Sequence, residues 1–237
     1  MIYMLVAASL ALEISLTSAG YCSPSSTNCG APCNIQSDCP NGDCWADRPD
    51  CGGGNPAVTG TYIGAYPGGL HAPPLSDMSK SINLVMLSFA TDSEHDGNFK
   101  PFKGWIGDGL TWKNITTNKH QNPGRKFLVS LGGAVGYGGT FAIQSGMSTE
   151  TWIQNSINSV ASIIYKYGAD GAEIQFEGGT EHPSFRNAMI GLINGLKTKN
   201  FITAIGPYYG GTWNDYKSLP MENIDYVNLQ PLCYWND

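Results

Sequence analysis

Short apolar runs recur along the chain, separated by longer mixed segments. Tyr62–Tyr66, Leu84–Ala90, Phe127–Leu131, Ala172–Phe176, Phe201–Ile205 and Tyr226–Leu229 are nearly continuous and rich in β-branched and aromatic residues. Surface strands alternate apolar and polar positions, whereas strands of a parallel sheet buried on both faces do not. The runs therefore predict six parallel strands. Helical patterns lie between them. Thr149–Tyr167 sets Trp152, Ile153, Ile157, Val160, Ala161 and Ile164 on one stripe, with Ser148 as N-cap and Gly168 as stop. Pro183–Lys199 has Pro in its first turn and repeats Met189, Ile190, Ile193 and Leu196. Strand–helix alternation with right-handed crossovers predicts an α/β fold, either a doubly wound sheet or a (β/α)8 barrel. No Gly-x-Gly-x-x-Gly follows the first strand and no Gly-x-Ser-x-Gly elbow occurs. Both absences speak against a nucleotide-binding Rossmann sheet and an α/β-hydrolase.

The first sixty residues follow other rules. Met1–Leu12 is an apolar run, with small residues at Thr17, Ser18, Ala19 and Gly20. It reads as a secretory signal over residues 1–20, against the alternative of a buried N-terminal helix. Residues 21–52 hold Cys22, Cys29, Cys33, Cys39, Cys44 and Cys51, six of the seven cysteines. A segment this short has no room for an apolar core, so cross-links must hold it, as in an oxidising compartment. Its spacing resembles the knottins of plant carboxypeptidase inhibitors, and six cysteines allow fifteen pairings. The segment has no His and no paired Cys-x-x-Cys elements, which argues against zinc. Trp45 makes it either a carbohydrate-binding module or a structural cap. A Gly/Pro-rich linker, residues 53–60, leads into the main domain, residues 61–237.

Composition narrows the class. The 237 residues are 41% hydrophobic and only 14% charged, with a formal net charge of −6. An acidic disordered chain would carry more charge, and a nucleic-acid binder would show a basic surplus. Beyond the N-terminus no run approaches the ~18 apolar residues of a membrane span. The chain reads as an extracellular protein that binds neither nucleic acid nor, after signal removal, a membrane. Asn114-Ile115-Thr116 is an N-glycosylation acceptor triplet.

The chemistry lies on the fourth strand, Asp170-Gly171-Ala172-Glu173-Ile174-Gln175-Phe176-Glu177. Strand side chains alternate faces, so Glu173, Gln175 and Glu177 share one face. Two carboxyls and an amide inside a barrel are costly unless hydrogen-bonded to one another. Barrels usually fill this space with branched apolar residues and build their sites at the C-terminal strand ends. A site explains these residues better than stability does.

At this point the chain resembles glycoside hydrolase family 18, in its plant-type and narbonin-like branch. Ser130-Leu131-Gly132-Gly133 fits the family's Ser-x-Gly-Gly after the third strand, and Asp170 to Glu177 fits its Asp-x-x-Asp-x-Asp-x-Glu. Tyr62-Ile63-Gly64 fits the first strand. The resemblance implies a (β/α)8 barrel and retaining hydrolysis of chitin or another N-acetylglucosamine glycan. The substrate's own acetamide acts as nucleophile, with no metal and no organic cofactor. It implies Glu177 as general acid, with Glu173, Gln175 and Asp170 completing the catalytic motif. Glu173 and Glu177 lie four residues apart, roughly 13 Å along a strand, too far for a conventional pair of catalytic carboxyls. Strand-end residues Tyr66, Gly132, Gly133, Tyr208, Trp213, Gln230 and Tyr234 are implied to bind sugar.

Three departures from the family pattern are visible. Glu173 and Gln175 stand where the family has Asp, so the second position loses its charge. Leu232 falls near the place of a family Tyr, leaving Tyr234 as the substitute. Six strands precede Asp237, which reads as an incomplete barrel, either a fragment of a longer chain, the favoured reading, or a fold closed through a partner; Cys233 either pairs with a later cysteine or is a buried thiol. His71, His95, His120 and His182 are scattered without metal-ligand spacing and read as surface residues. Asp92 reads as a cleft residue or a solvated loop residue.

Overall fold

The computed structural model describes residues 58–64, 72–135, 138–208 and 211–228, plus the backbone of four short strands nearer the N-terminus. Its main sheet contains six parallel strands in sequence order: β1 (Val58–Ile63), β2 (Ile82–Thr91), β3 (Lys126–Gly133), β4 (Gly171–Phe176), β5 (Ile202–Ile205) and β6 (Tyr226–Val227). Each overlaps an apolar run of the sequence, although β1 starts four residues before the run Tyr62–Tyr66 and shares only Tyr62 and Ile63 with it. Two antiparallel strands border the sheet. Ile14–Leu16 pairs with β1, and Lys100–Pro101 pairs with the end of β2.

The sheet is strongly curled. At ~4.8 Å between neighbours, β1 and β6 of a flat sheet would stand roughly 24 Å apart. Instead, the amide of Asn228, just past β6, donates to the hydroxyl of Tyr62 on β1. The six strands therefore form the arc of a half-barrel, with β1 and β6 facing each other across its interior.

Helices cover the outer face. They are α1 (Trp112–Gln121), α2 (Thr149–Tyr167), α3 (Phe185–Lys197) and a single turn, α4 (Trp213–Tyr216). Val85, Leu87, Val129, Leu131, Ile174 and Phe176 pack against them in one buried cluster. Leu84, Met86, Leu128 and Ala204 form a second, smaller apolar floor on the inner face. This division explains why the strands read as continuous apolar runs: both faces are buried. α2 has the predicted ends, with Ser148 Oγ accepting the Thr151 N–H and Gly168 left-handed at φ 68°. α3 starts two residues after Pro183, within the predicted span.

α1 escaped the sequence reading because only Ile115 and Asn118 of its ten residues are buried. It is anchored by polar contacts instead. Arg125, itself buried, donates to Asn118 Oδ1 at 2.9 Å and to the Ile82 and Ser79 carbonyls. The expected linker ends earlier than residue 60, because Val58–Gly60 already belong to β1, and Ile14–Leu16, within the expected signal, pairs with them. The rest of the expected signal and linker and the cysteine side chains lie outside the described residues. In the cysteine-rich segment, Gly20–Cys22 pairs antiparallel with Pro32–Cys33 and with Cys44–Trp45.

Candidate active site

The inner face of β4 carries Glu173 and Gln175, and Glu177 follows the strand end. Strand register sets Ser130 of β3 and Ala204 of β5 beside Glu173, and Gly132 beside Gln175. Glu173 is fully buried. Its carboxylate accepts from Ser130 Oγ at 2.5 Å, Tyr62 Oη at 2.8 Å and Asn228 Nδ2 at 3.1 Å. Residues from β1, β3 and the end of β6 thus converge on one carboxyl. Burial raises its pKa above the ordinary range, and the three donors pull it partly back.

The extra methylene that distinguishes Glu from Asp needs space, which Gly206 supplies. A Cβ there would stand 2.8 Å from Glu173 Oε1 and 2.9 Å from Gln175 Cγ. Gly206→Ala is expected to displace both side chains and destabilise the fold by about 1–3 kcal/mol, a loss that urea unfolding would measure.

Above this layer, Gln175 is 1% exposed. Its Nε2 donates to Glu177 Oε1 at 2.7 Å, while its buried Oε1 has no hydrogen-bond partner. Glu177 is half-buried, and its own N–H donates to the Gly133 carbonyl at 3.3 Å. Burial raises the Glu177 pKa, partly offset by the Gln175 amide, which favours the ionised form. Gly132, at φ 98°, permits the approach: a Cβ there would stand 2.9 Å from the Gln175 carbonyl.

Tyr216 on α4 braces the strand end. Its buried hydroxyl accepts from the Phe176 N–H at 2.7 Å and faces the Phe176 carbonyl at 3.3 Å, one residue before Glu177. Burial pushes its pKa well above the ordinary phenol value. Tyr216→Phe leaves the Phe176 N–H without its acceptor in a dry site. We expect a cost of about 1–3 kcal/mol, seen as a lower urea midpoint at unchanged slope.

Other expected site residues fall in different places. Asp170 precedes β4, at the opposite end from Glu177. Its carboxylate holds Lys119 Nζ at 2.7 Å and the Phe127 N–H at 2.9 Å, tying α1 to the strand starts. It joins none of the hydrogen bonds around Glu173, so its contacts are those of a structural residue. Asp92 is neither cleft-lining nor solvated. It is 4% exposed and accepts from Trp152 Nε1 and the Gly97 and Asp96 N–H groups, which fixes the loop after β2. Gly133 closes β3, where a Cβ would meet the Phe89 ring. Tyr208 and Trp213 follow β5 and are partly buried, with the Tyr208 N–H bound to Thr212 Oγ1. Tyr66, Gln230, Leu232, Cys233 and Tyr234 lie outside the described residues.

The sequence reading missed Asn228, Gly206 and Tyr216, and took Tyr62 and Ser130 only as motif markers. Strand register supplies the signal for two of them, since Tyr62 and Ser130 are inward-facing polar positions of β1 and β3. Of the histidines, His120 is exposed, His182 Nδ1 accepts the Ser184 N–H, and His95 Nδ1 is buried, which departs from the surface expectation. His71 lies outside the described residues. Among the described residues no cluster of three or more His, Cys, Asp or Glu is arranged to hold a metal. No described helix is long and apolar enough to cross a membrane.

A curled parallel β/α sheet with a column of carboxyl, amide and carboxyl rising along its fourth strand defines a protein of the (β/α) barrel class. Residues 61–236 match the glycosyl hydrolases family 18, and the chain belongs to that family. Chitinase 1 of Tulipa saxatilis subsp. bakeri is 30% identical over 167 residues, 63% of this chain and 51% of that protein. The catalytic domain of a family GH18 chitinase from the fern Peteris ryukyuensis superposes with a TM-score of 0.61 at 28% identity, over 72% of this chain and 66% of that one. A family 18 chitinase from Crocus vernus gives 0.58 at 28% identity over the same shares. The chain spans about half the length of the tulip relative.

Proposed function

We propose that this chain is a secreted chitinase-like glycosidase. It cleaves β-1,4-linked N-acetylglucosamine with retention, using Glu177 as general acid. The observation that carries the reading is the Gln175–Glu177 contact at the C-terminal end of β4, above a fully buried carboxyl. Burial biases Glu177 toward the protonated state that an acid requires.

Glu173 is locked by three donors on other strands and stays below the reaction. The nucleophile is then the substrate's acetamido oxygen, which attacks the anomeric carbon while Glu177 protonates the departing glycosidic oxygen. Water, deprotonated by Glu177, opens the resulting oxazolinium ring and restores the β-anomer. Turned toward the strand end, the unpartnered Gln175 Oε1 is proposed to accept the acetamide N–H and orient that attack. Gly132, Gly133, Tyr208 and Trp213, with Tyr66, Gln230 and Tyr234, are proposed to line the sugar path. No metal or organic cofactor enters this scheme.

Gln175 favours a second reading, a non-catalytic glycan-binding or storage protein. An amide orients an acetamide but supplies no negative charge to the cationic intermediate, and its N–H favours the wrong ionisation state of Glu177. Product analysis of a chitotetraose digest separates the readings, with Glu177→Gln as the blank. Shorter β-anomeric sugars from the wild type alone support the enzyme. Saturable chitotetraose binding without products supports the binding protein.

A further inference from the structure

We infer that Asn114 is an N-glycosylation site whose modification must precede the folding of α1. This rests on the secretory part of the reading above. The chain contains one Asn-x-Ser/Thr triplet with x other than Pro, Asn114-Ile115-Thr116. The structure places it in the first turn of α1, with Asn114 exposed between a buried Ile115 and the capping Thr111. Asn114 Nδ2 donates to the Gly109 carbonyl at 2.8 Å. A glycosylated amide keeps one N–H, which leaves a donor for this contact when the sugar takes the other position.

Space is also present. A cleft of about 550 Å³ opens along the same face of α1, lined by Asn114, Thr117 and Gln121 on the helix and by Gly107, Gly109 and Ser76 opposite. Its lining is mixed, with Ala72, Pro74 and Leu75 beside the polar groups, as suits the apolar face and hydroxyls of the first N-acetylglucosamine of a glycan. The cleft on α1 shares no lining residue with Glu173, Gln175 or Glu177.

The order of events follows from Thr116. In the folded helix its hydroxyl donates to the Trp112 carbonyl at 2.7 Å and contacts the Lys113 carbonyl at 3.1 Å. The acceptor motif is that of a surface loop, whereas here the triplet is wound into a helix and its hydroxyl is tied to that helix, so we place the transfer before α1 forms. In the transfer, Asn114 Nδ2 forms a bond to the anomeric carbon of an oligosaccharide carried on a polyprenyl pyrophosphate. The carbon–oxygen bond to the pyrophosphate breaks, the polyprenyl pyrophosphate leaves, and the amide proton passes to base.

The test expresses the full chain in a eukaryotic secretory host, with its own N-terminus and, separately, behind a foreign secretion leader. Treatment with peptide:N-glycosidase in heavy-oxygen water reads occupancy at residue 114 by mass. We expect a shift of one glycan, lost in Asn114→Gln and in Thr116→Val. A chain recovered from the medium without a glycan, or a shift that persists in Asn114→Gln, overturns the proposal. Modification behind the foreign leader alone supports the acceptor site and counts against the chain's own signal. Purified unglycosylated protein, folded and mixed with transferase and lipid-linked donor, is expected to stay unmodified; its modification overturns the proposed order.

Discussion

Glu177→Gln is expected to abolish chitotetraose cleavage while leaving chitotetraose binding nearly intact. The substitution is isosteric, and its amide oxygen can still accept the Gln175 N–H that now reaches Glu177 Oε1 at 2.7 Å. What disappears is the transferable proton. General acid catalysis contributes about 10²–10⁴-fold, so turnover should fall by at least the lower figure. A change in binding of only a few-fold places the loss in the chemical step. Unchanged turnover would remove Glu177 from the mechanism.

The pH dependence supplies a second readout. Burial lifts the Glu177 pKa above its ordinary value near 4.5. Wild-type turnover should therefore fall as pH rises through that shifted value, because the acid form is being lost. Stability carries the same sign. Glu173 and Glu177 both have raised folded pKa values, so each binds its proton more tightly folded than unfolded. Their contribution is complete below the unfolded carboxyl pKa and lost as pH rises through the folded one. The thermal midpoint should decline over that window, and Glu173→Gln should flatten the slope.

Much of this architecture was legible in the chain, for a physical reason. Parallel strands covered on both sides need uninterrupted apolar residues, so each run marked a strand. α2 wrote its own ends through Ser148 and Gly168. Polar α1 did not, since its place is held by Arg125 and Asn118 rather than by an apolar stripe. At the site, period-two alternation sufficed to align Glu173, Gln175 and Glu177. Their partners needed the curl of the sheet: Tyr62 and Asn228 are 166 positions apart and meet only because the ends of the arc face each other. Gly206 was invisible for a related reason, since the space it leaves is defined by side chains of the neighbouring strand. Asp170 shows where a motif and its geometry part. Motif membership implied catalysis, whereas its partners, Lys119 and the Phe127 N–H, tie down the start of the strand.

Gln175→Asp should raise turnover, by a factor on the order of 10² where electrostatic stabilisation of the intermediate is limiting. Three changes act together. A carboxylate at position 175 restores negative charge beside the cationic oxazolinium ring. It removes the Nε2–H that favours ionised Glu177, and it sets a like charge beside Glu177. Both latter effects raise the Glu177 pKa, so the alkaline limb of the pH–rate profile should move to higher pH. The shorter side chain also withdraws from Gly206, so the substitution introduces no steric conflict there. Single-turnover cleavage of chitotetraose across a pH series would show both effects at once. A faster step with a displaced limb assigns the weakness of the site to Gln175. A displaced limb without acceleration means that charge at 175 reaches Glu177 but not the reacting sugar. Neither change would place the limiting defect outside the β4 column.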